Sequence, residues 1–234
     1  MTTLVLVRHG LTSMTGPVLA GWTPGVHLDE RGRGQADAVA ERLAPLPFAA
    51  LVTSPLERCT DTIGVIAKRL ADPPAVQKDK RLAECRYGDW TGKPLKDLAR
   101  DPMWKVVQAH PSAAVFPGGE GLADVQARAV GAVRDHDARL AAARGDDALW
   151  LACSHGDVIK SIVADALGLH LDLFQRITID PCSVTVIRYT QLRPFVVRVN
   201  DTGGDVAALL PPKKRSSRRR RRASSDAVVG GGAG

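Results

Sequence analysis

The sequence predicts an α/β fold: a three-layer α/β/α sandwich around a mostly parallel central sheet. Two unbroken apolar runs, Leu4-Val5-Leu6-Val7 and Ala148-Leu149-Trp150-Leu151-Ala152-Cys153, have the pattern of strands covered on both faces. Each ends abruptly in a histidine followed by glycine. Strand-like and helix-like segments then alternate along the chain, as a sheet with helices on both faces requires.

The first run is strand-like through Val7, and the loop from Gly10 to Asp29 is broken by Gly16-Pro17, Gly21, Pro24 and Gly25. Asp29 is a natural cap for a helix starting near Glu30, although Gly32 and Gly34 weaken its first turn. Val39 and Leu43 keep helical spacing until Pro45 and Pro47. A short strand, 49–53, leads to Ser54-Pro55, with Pro55 suited to the first turn of a helix running to about Leu70. Val76 to Lys78 reads as a weak third strand, 81–94 as a loop, and 95–110 as one or two short helices. Phe116-Pro117-Gly118-Gly119-Glu120 turns the chain into a long helix, 120–143, whose apolar face is Leu122, Val125, Ala129, Ala132 and Val133. After the second apolar run, a helix is expected from about Val158 to Leu167, then a hairpin of strands 182–189 and 195–199.

Charge divides the 234 residues into a body, 1–210, and a tail, 211–234. The net charge of +7 comes from the tail, where Lys213, Lys214, Arg215 and Arg218 through Arg222 face one acid, Asp226. The body is left balanced. Such a tail cannot build a core and is expected to be disordered. It is either a solvated segment without a partner or a weak contact for nucleic acid or an acidic surface through residues 213–222. No interleaved aromatic side chain supports base stacking there.

No apolar run approaches the ~18 residues of a membrane span, and no signal peptide is visible, so a cytoplasmic protein is expected. The four cysteines form no C-x-x-C pair and are expected to be reduced, buried thiols. His27, His110, His136 and His170 are expected in solvent.

If the strands ending at Arg8-His9-Gly10, Ser54-Pro55 and Ser154-His155-Gly156 are parallel neighbours, two histidines, Arg8, Arg58 and helix N-termini converge outside one sheet edge. A lone buried histidine is ordinarily a satisfied core residue; this combination is an anion pocket. Guanidinium groups and helix N–H groups hold phosphate, and an imidazole can attack phosphorus.

These motifs resemble the histidine phosphatase superfamily, the phosphoglycerate mutase-like proteins. Arg8-His9-Gly10, Ser54-Pro55-Leu56-Glu57-Arg58, Glu84 spaced before Gly88, Trp90 and Gly92, Gly118-Gly119-Glu120, and Ser154-His155-Gly156 follow the family's order. The resemblance implies that His9 is the nucleophile, forming a phosphohistidine, and that Arg8, Arg58 and His155 hold the phosphoryl group. It implies that Glu84 is the proton donor and then the base, with no metal and no cofactor. Gly156 and Thr15 are candidate phosphate contacts, Thr15 standing where the family usually has an amide. Leu11 replaces a usual carboxylate.

The leading expectation is a phosphatase acting on a small phosphate monoester. A phosphomutase using the same intermediate is the first alternative, disfavoured by the short segment between Glu84 and Gly118. A non-enzymatic phosphate-ligand or nucleic-acid-tethered binding module is the second. Oligomeric state is left open, with a homodimer as the candidate assembly.

Overall fold

The computed structural model describes residues 1–144 and 148–204. Six strands form one mixed sheet: β1 (Thr2–Arg8), β2 (Ala50–Thr53), β3 (Val76–Lys78), β4 (Ala148–Ser154), β5 (Val184–Tyr189) and β6 (Pro194–Asp201). The spatial order is β3-β2-β4-β1-β5-β6. β3, β2, β4 and β1 are mutually parallel, β5 runs antiparallel to β1, and β6 closes the sheet as a hairpin with β5. The expected α/β architecture, helices flanking a mostly parallel sheet, is therefore present.

The helices are α1 (Glu30–Leu43), α2 (Glu57–Arg69), α3 (Leu95–Leu98), α4 (Pro102–Ala109), α5 (Leu122–Arg144) and α6 (Gly156–Leu167). Alternation along β1 assigns the layers. Val5 and Val7 pack with Val39, Leu43, Ile63 and Ile66 under α1 and α2. Leu4 and Leu6 pack with Val125, Ala129, Ile159 and Ile162 under α5 and α6. Both faces of the central strands are thus apolar, and each such side chain buried contributes roughly 1.5–3 kcal/mol.

Several boundaries differ from expectation. α2 is capped by Leu56 and begins at Glu57, so Pro55 precedes the helix instead of lying in its first turn. α6 begins at Gly156, two residues early, with His155 as its N-cap. Gly156 and Asp157 therefore sit in the helix rather than in a loop before it. A 3-10 segment, Leu171–Arg176, appears where no element was expected. His136 is buried, not solvated: its Nε2 lies 2.9 Å from Asp79 Oδ2, its Nδ1 takes Arg139 at 2.8 Å, and its ring packs against Trp150. The tail, 211–234, lies outside the described residues.

Gly32 does not weaken α1 without return. Asp29 caps the helix through a 2.7 Å bond from the Gly32 amide. A Cβ at Gly32 would stand 2.0 Å from the Leu11 carbonyl oxygen. The first turn of α1 is thereby laid directly on the backbone that follows His9. Asp29 N donates to Leu11 O at 3.1 Å, Leu11 N to Gln35 Oε1 at 3.1 Å, and Gly10 N to Thr62 Oγ1 at 3.1 Å.

Candidate active site

Parallel pairing brings the three strand ends to one edge. Arg8 pairs with Ser154, and Thr53 with Cys153. The ladder continues beyond the strands, with His9 N donating to Ser154 O at 3.0 Å and Ser54 N to Cys153 O at 2.9 Å. His9 and Ser54 are thus held by backbone as well as by side chains. Arg58 enters from the first turn of α2.

Arg58 joins the two histidines. Its Nε donates to His9 Nε2 at 3.3 Å, and one terminal nitrogen lies 3.2 Å from His155 Nδ1 and 2.9 Å from the Gly21 carbonyl oxygen. A guanidinium only donates, so both contacted ring nitrogens are the unprotonated ones. The other nitrogens agree. His9 Nδ1 donates to the Gly10 carbonyl at 2.8 Å, and His155 Nε2 to Ser54 Oγ at 2.8 Å. These partners assign His9 a lone pair on Nε2. The rings stand edge-on, with centroids 5.2 Å apart. Burial, reinforced by the Arg58 and Arg8 charges, pushes both imidazoles well below their ordinary pKa.

Arg8 is buried and donates from one terminal nitrogen to Ile179 O at 2.7 Å. Burial lowers its pKa, opposed by the Glu84, Asp157 and Asp180 carboxyls. Thr15 Oγ1 takes up the Thr12 amide at 3.1 Å and lies 2.9 Å from the Thr12 hydroxyl, closing the loop after β1. The Gly156 amide lies in the first turn of α6, where N–H groups have no intrahelical partner.

Glu84 approaches from the segment between β3 and α3. Its Oε2 lies 3.8 Å from His155 Nδ1 and its Oε1 accepts from the Cys85 amide at 3.0 Å. Its pKa is raised to about 7, first by burial and then by the Asp157 carboxylate, against the pull of Arg58 and Arg8. The main chain is clamped from behind. Arg128, on α5, donates to the carbonyls of Arg81 (2.6 Å), Ala83 (2.8 Å) and Glu84 (3.1 Å), and pairs with Glu120 at 2.7 Å. Trp22 Nε1 donates to the same Glu84 carbonyl at 2.6 Å.

The Gly118-Gly119-Glu120 turn braces this segment. Glu120 accepts the Arg86 amide at 2.8 Å, and a Cβ on Gly119 would stand 2.0 Å from Arg86 O. Gly88, at φ +52°, passes equally close to Pro117 O.

The structure therefore brings Arg8, His9, Arg58, Glu84 and His155 together at one end of the sheet, with Gly156 opening the helix that follows His155, while Thr15 is engaged with Thr12. Sequence reasoning missed Arg128, Ser54 and the buried group behind Glu84. There Tyr87 donates to Asp157 Oδ2 at 3.0 Å, and Lys160 Nζ lies 3.6 Å from Asp157 Oδ1. Two signals pointed to that group: a carboxylate two residues after His155, and a lysine three residues further on the same helix. Cys59 lies against His155, with Sγ 3.4 Å from Nε2. All four cysteines are buried and free, and burial raises the pKa of Cys85, Cys153 and Cys182, so these thiols behave as small core groups. Among the described residues, no cluster of three or more His, Cys, Asp or Glu is placed to hold a metal, and no helix is long and apolar enough to cross a membrane.

Residues 4–202 match the profile of the histidine phosphatase superfamily, branch 1. The chain is 30% identical over 172 residues to a glucosyl-3-phosphoglycerate phosphatase of Mycolicibacterium vanbaalenii, covering 72% of this chain and 76% of that one. It is 30% identical over 192 residues to the 2,3-bisphosphoglycerate-dependent phosphoglycerate mutase 2 of Gloeobacter violaceus, covering 78% and 83%. It spans about half the length (54%) of some longer mycobacterial relatives, at 32% identity over 205 residues. Among solved structures, it resembles Bacillus stearothermophilus YhfR, with a TM-score of 0.76, 28% identity, and coverage of 86% of this chain and 98% of that one. With nearly all of the described body inside the profile and the family's motifs gathered around one pocket, the chain belongs to the histidine phosphatase superfamily, branch 1.

Proposed function

We propose that the chain hydrolyses a small phosphate monoester through a phosphohistidine on His9. The observation that carries this is the hydrogen-bonded pattern around His9. Its Nδ1 proton is held by Gly10 O, and its Nε2 lone pair faces Arg58. On substrate binding, Arg58 turns its N–H groups to the phosphoryl oxygens, with Arg8 and the Gly156 amide completing the cradle; the released His155 Nδ1 takes up a proton from solvent beside the phosphoryl charge and then donates to it as well. The Thr15 hydroxyl accepts from the Thr12 amide, and with the Thr12 hydroxyl as donor in their 2.9 Å pair its own proton is left as a further contact.

His9 Nε2 forms a bond to phosphorus as the ester P–O bond breaks. The departing electron pair goes to the alcohol oxygen, which takes the Glu84 proton. The positive charge left on His9 is shared with Gly10 O through Nδ1–H. Glu84, now a carboxylate, removes a proton from water. The water oxygen bonds to phosphorus, the P–N pair returns to Nε2, and inorganic phosphate leaves. A carboxyl with a pKa of about 7 suits both proton transfers.

A phosphomutase reading shares the first half-reaction and is supported by the similarity to the Gloeobacter enzyme. Hydrolysis is favoured because Glu84 and Gly118 are joined only by a 3-10 turn, two short helices and a further 3-10 turn, leaving little chain to shield the intermediate from water. Incubation with 3-phosphoglycerate and a bisphosphate primer decides between them: phosphate release is expected to outpace isomerisation, and the reverse would favour the mutase. The basic tail takes no part in turnover; its cations offer a polyanion only an electrostatic contact.

A further inference from the structure

Beside the Glu84 main chain, reached through the two side chains that hold its carbonyl, lies a recess of about 200 Å³, lined by Trp22, Lys80, Arg81, Arg86, Glu120 and Arg128. Its cations are not equivalent. Arg81 is ion-paired with Asp79 at 2.9 Å and with Asp135, and Arg128 is committed to Glu120 and three carbonyls. The Glu120 carboxylate is taken up by Arg128 and the Arg86 amide. That leaves Lys80 and Arg86, both exposed. Among the described residues neither has an anionic partner. The Arg86 guanidinium lies over the Trp22 ring, 4.6 Å from its centroid, which steadies it without occupying its N–H groups.

The recess and the catalytic pocket share a wall. Trp22 and Arg128 both hold the Glu84 carbonyl, and the residue before Trp22, Gly21, accepts from Arg58. The recess therefore lies on the Glu84 side of the pocket, where the proposed mechanism releases the alcohol.

We infer that Lys80 and Arg86 form a subsite for a second anionic group, carboxylate or phosphate, on the leaving-group side of the substrate. This rests on the phosphatase reading for the direction in which the alcohol departs. Trp22 and the paired Arg81 and Arg128 form its walls. Because the two cations are exposed, their pull is strongest at low ionic strength and fades as the Debye length shrinks.

Three probes of one chain length test it: n-propyl phosphate, 3-phosphooxypropanoate and propane-1,3-diyl bisphosphate. At low salt, wild type is expected to favour at least one of the two charged-tail probes by about tenfold or more in kcat/KM, and which one identifies the anion. In the Lys80→Met/Arg86→Gln double variant the ratio is expected to fall towards one. No preference in wild type, or an undiminished preference in the double variant, overturns the subsite. Calorimetric binding of the same probes to His9→Ala protein, with and without the two substitutions, separates the two readings. The expected binding order without any wild-type turnover overturns the phosphatase reading and keeps the subsite. Turnover of n-propyl phosphate with no preference in either assay overturns the subsite and keeps the phosphatase reading.

Discussion

The proposed first step needs His9 and Glu84 in different protonation states, and their surroundings favour this. Burial and two arginines hold His9 neutral down to pH values well below the ordinary imidazole pKa, while Glu84 keeps its proton up to about pH 7. An attacking imidazole is lost only in acid; a protonated Glu84 is lost as pH rises through about 7. Wild-type kcat on an alkyl phosphate should therefore fall about tenfold per unit well above pH 7 if phosphorylation limits. Glu84→Gln is expected to lower kcat by about 10²–10⁴ and to flatten that alkaline limb. With an aryl phosphate, whose leaving group needs little protonation, the loss should be smaller. Comparing variant with wild type at each pH cancels the titration of the substrate itself. An alkaline limb that persists in Glu84→Gln would remove Glu84 from this role.

At the scale of elements, the loop after β1 depends on how closely α1 lies against it. Helix propensity alone says that Gly32→Ala should stabilise by up to about 1 kcal/mol. The 2.0 Å approach to Leu11 O reverses the sign: the variant is expected to lose about 1–3 kcal/mol in denaturant unfolding. Gly34, in the same helix with open space around its Cβ position, is the control, and Gly34→Ala should be neutral or stabilising. Equal effects at both positions would refute the close-packing account.

The same contrast explains what the sequence could say. Strand ends, the Asp29 cap and the Arg58 position were legible because each is a local pattern of apolar run, breaker and polar residue. Arg128 was not, because the carbonyls it holds lie more than forty residues away and only folding brings α5 beneath the Glu84 segment. His136 was misread although its spacing from Ala129, Ala132 and Val133 placed it on the buried stripe of α5. Its polarity outweighed its position, and the partner that makes burial tolerable, Asp79, is far away in sequence.

For the whole molecule, charge and chemistry are divided. The body is charge-balanced, and the excess of cations belongs to residues 213–222. The field at the pocket is therefore set by Arg8 and Arg58 together with the α6 N-terminus, not by net charge. Removing residues 211–234 is expected to leave kcat and KM on a small phosphate ester within about twofold, and to abolish any retention on a polyanion column at low salt. A large fall in kcat on truncation would tie the tail to the site.

The central claim is that His9 carries the phosphoryl group. A single turnover with 4-nitrophenyl phosphate, quenched in base, measures this directly. Wild type should retain protein-bound phosphate that is stable to alkali and lost in acid, and His9→Ala should retain none. Absence of label on wild type throughout its turnover, or equal label on His9→Ala, would contradict the mechanism.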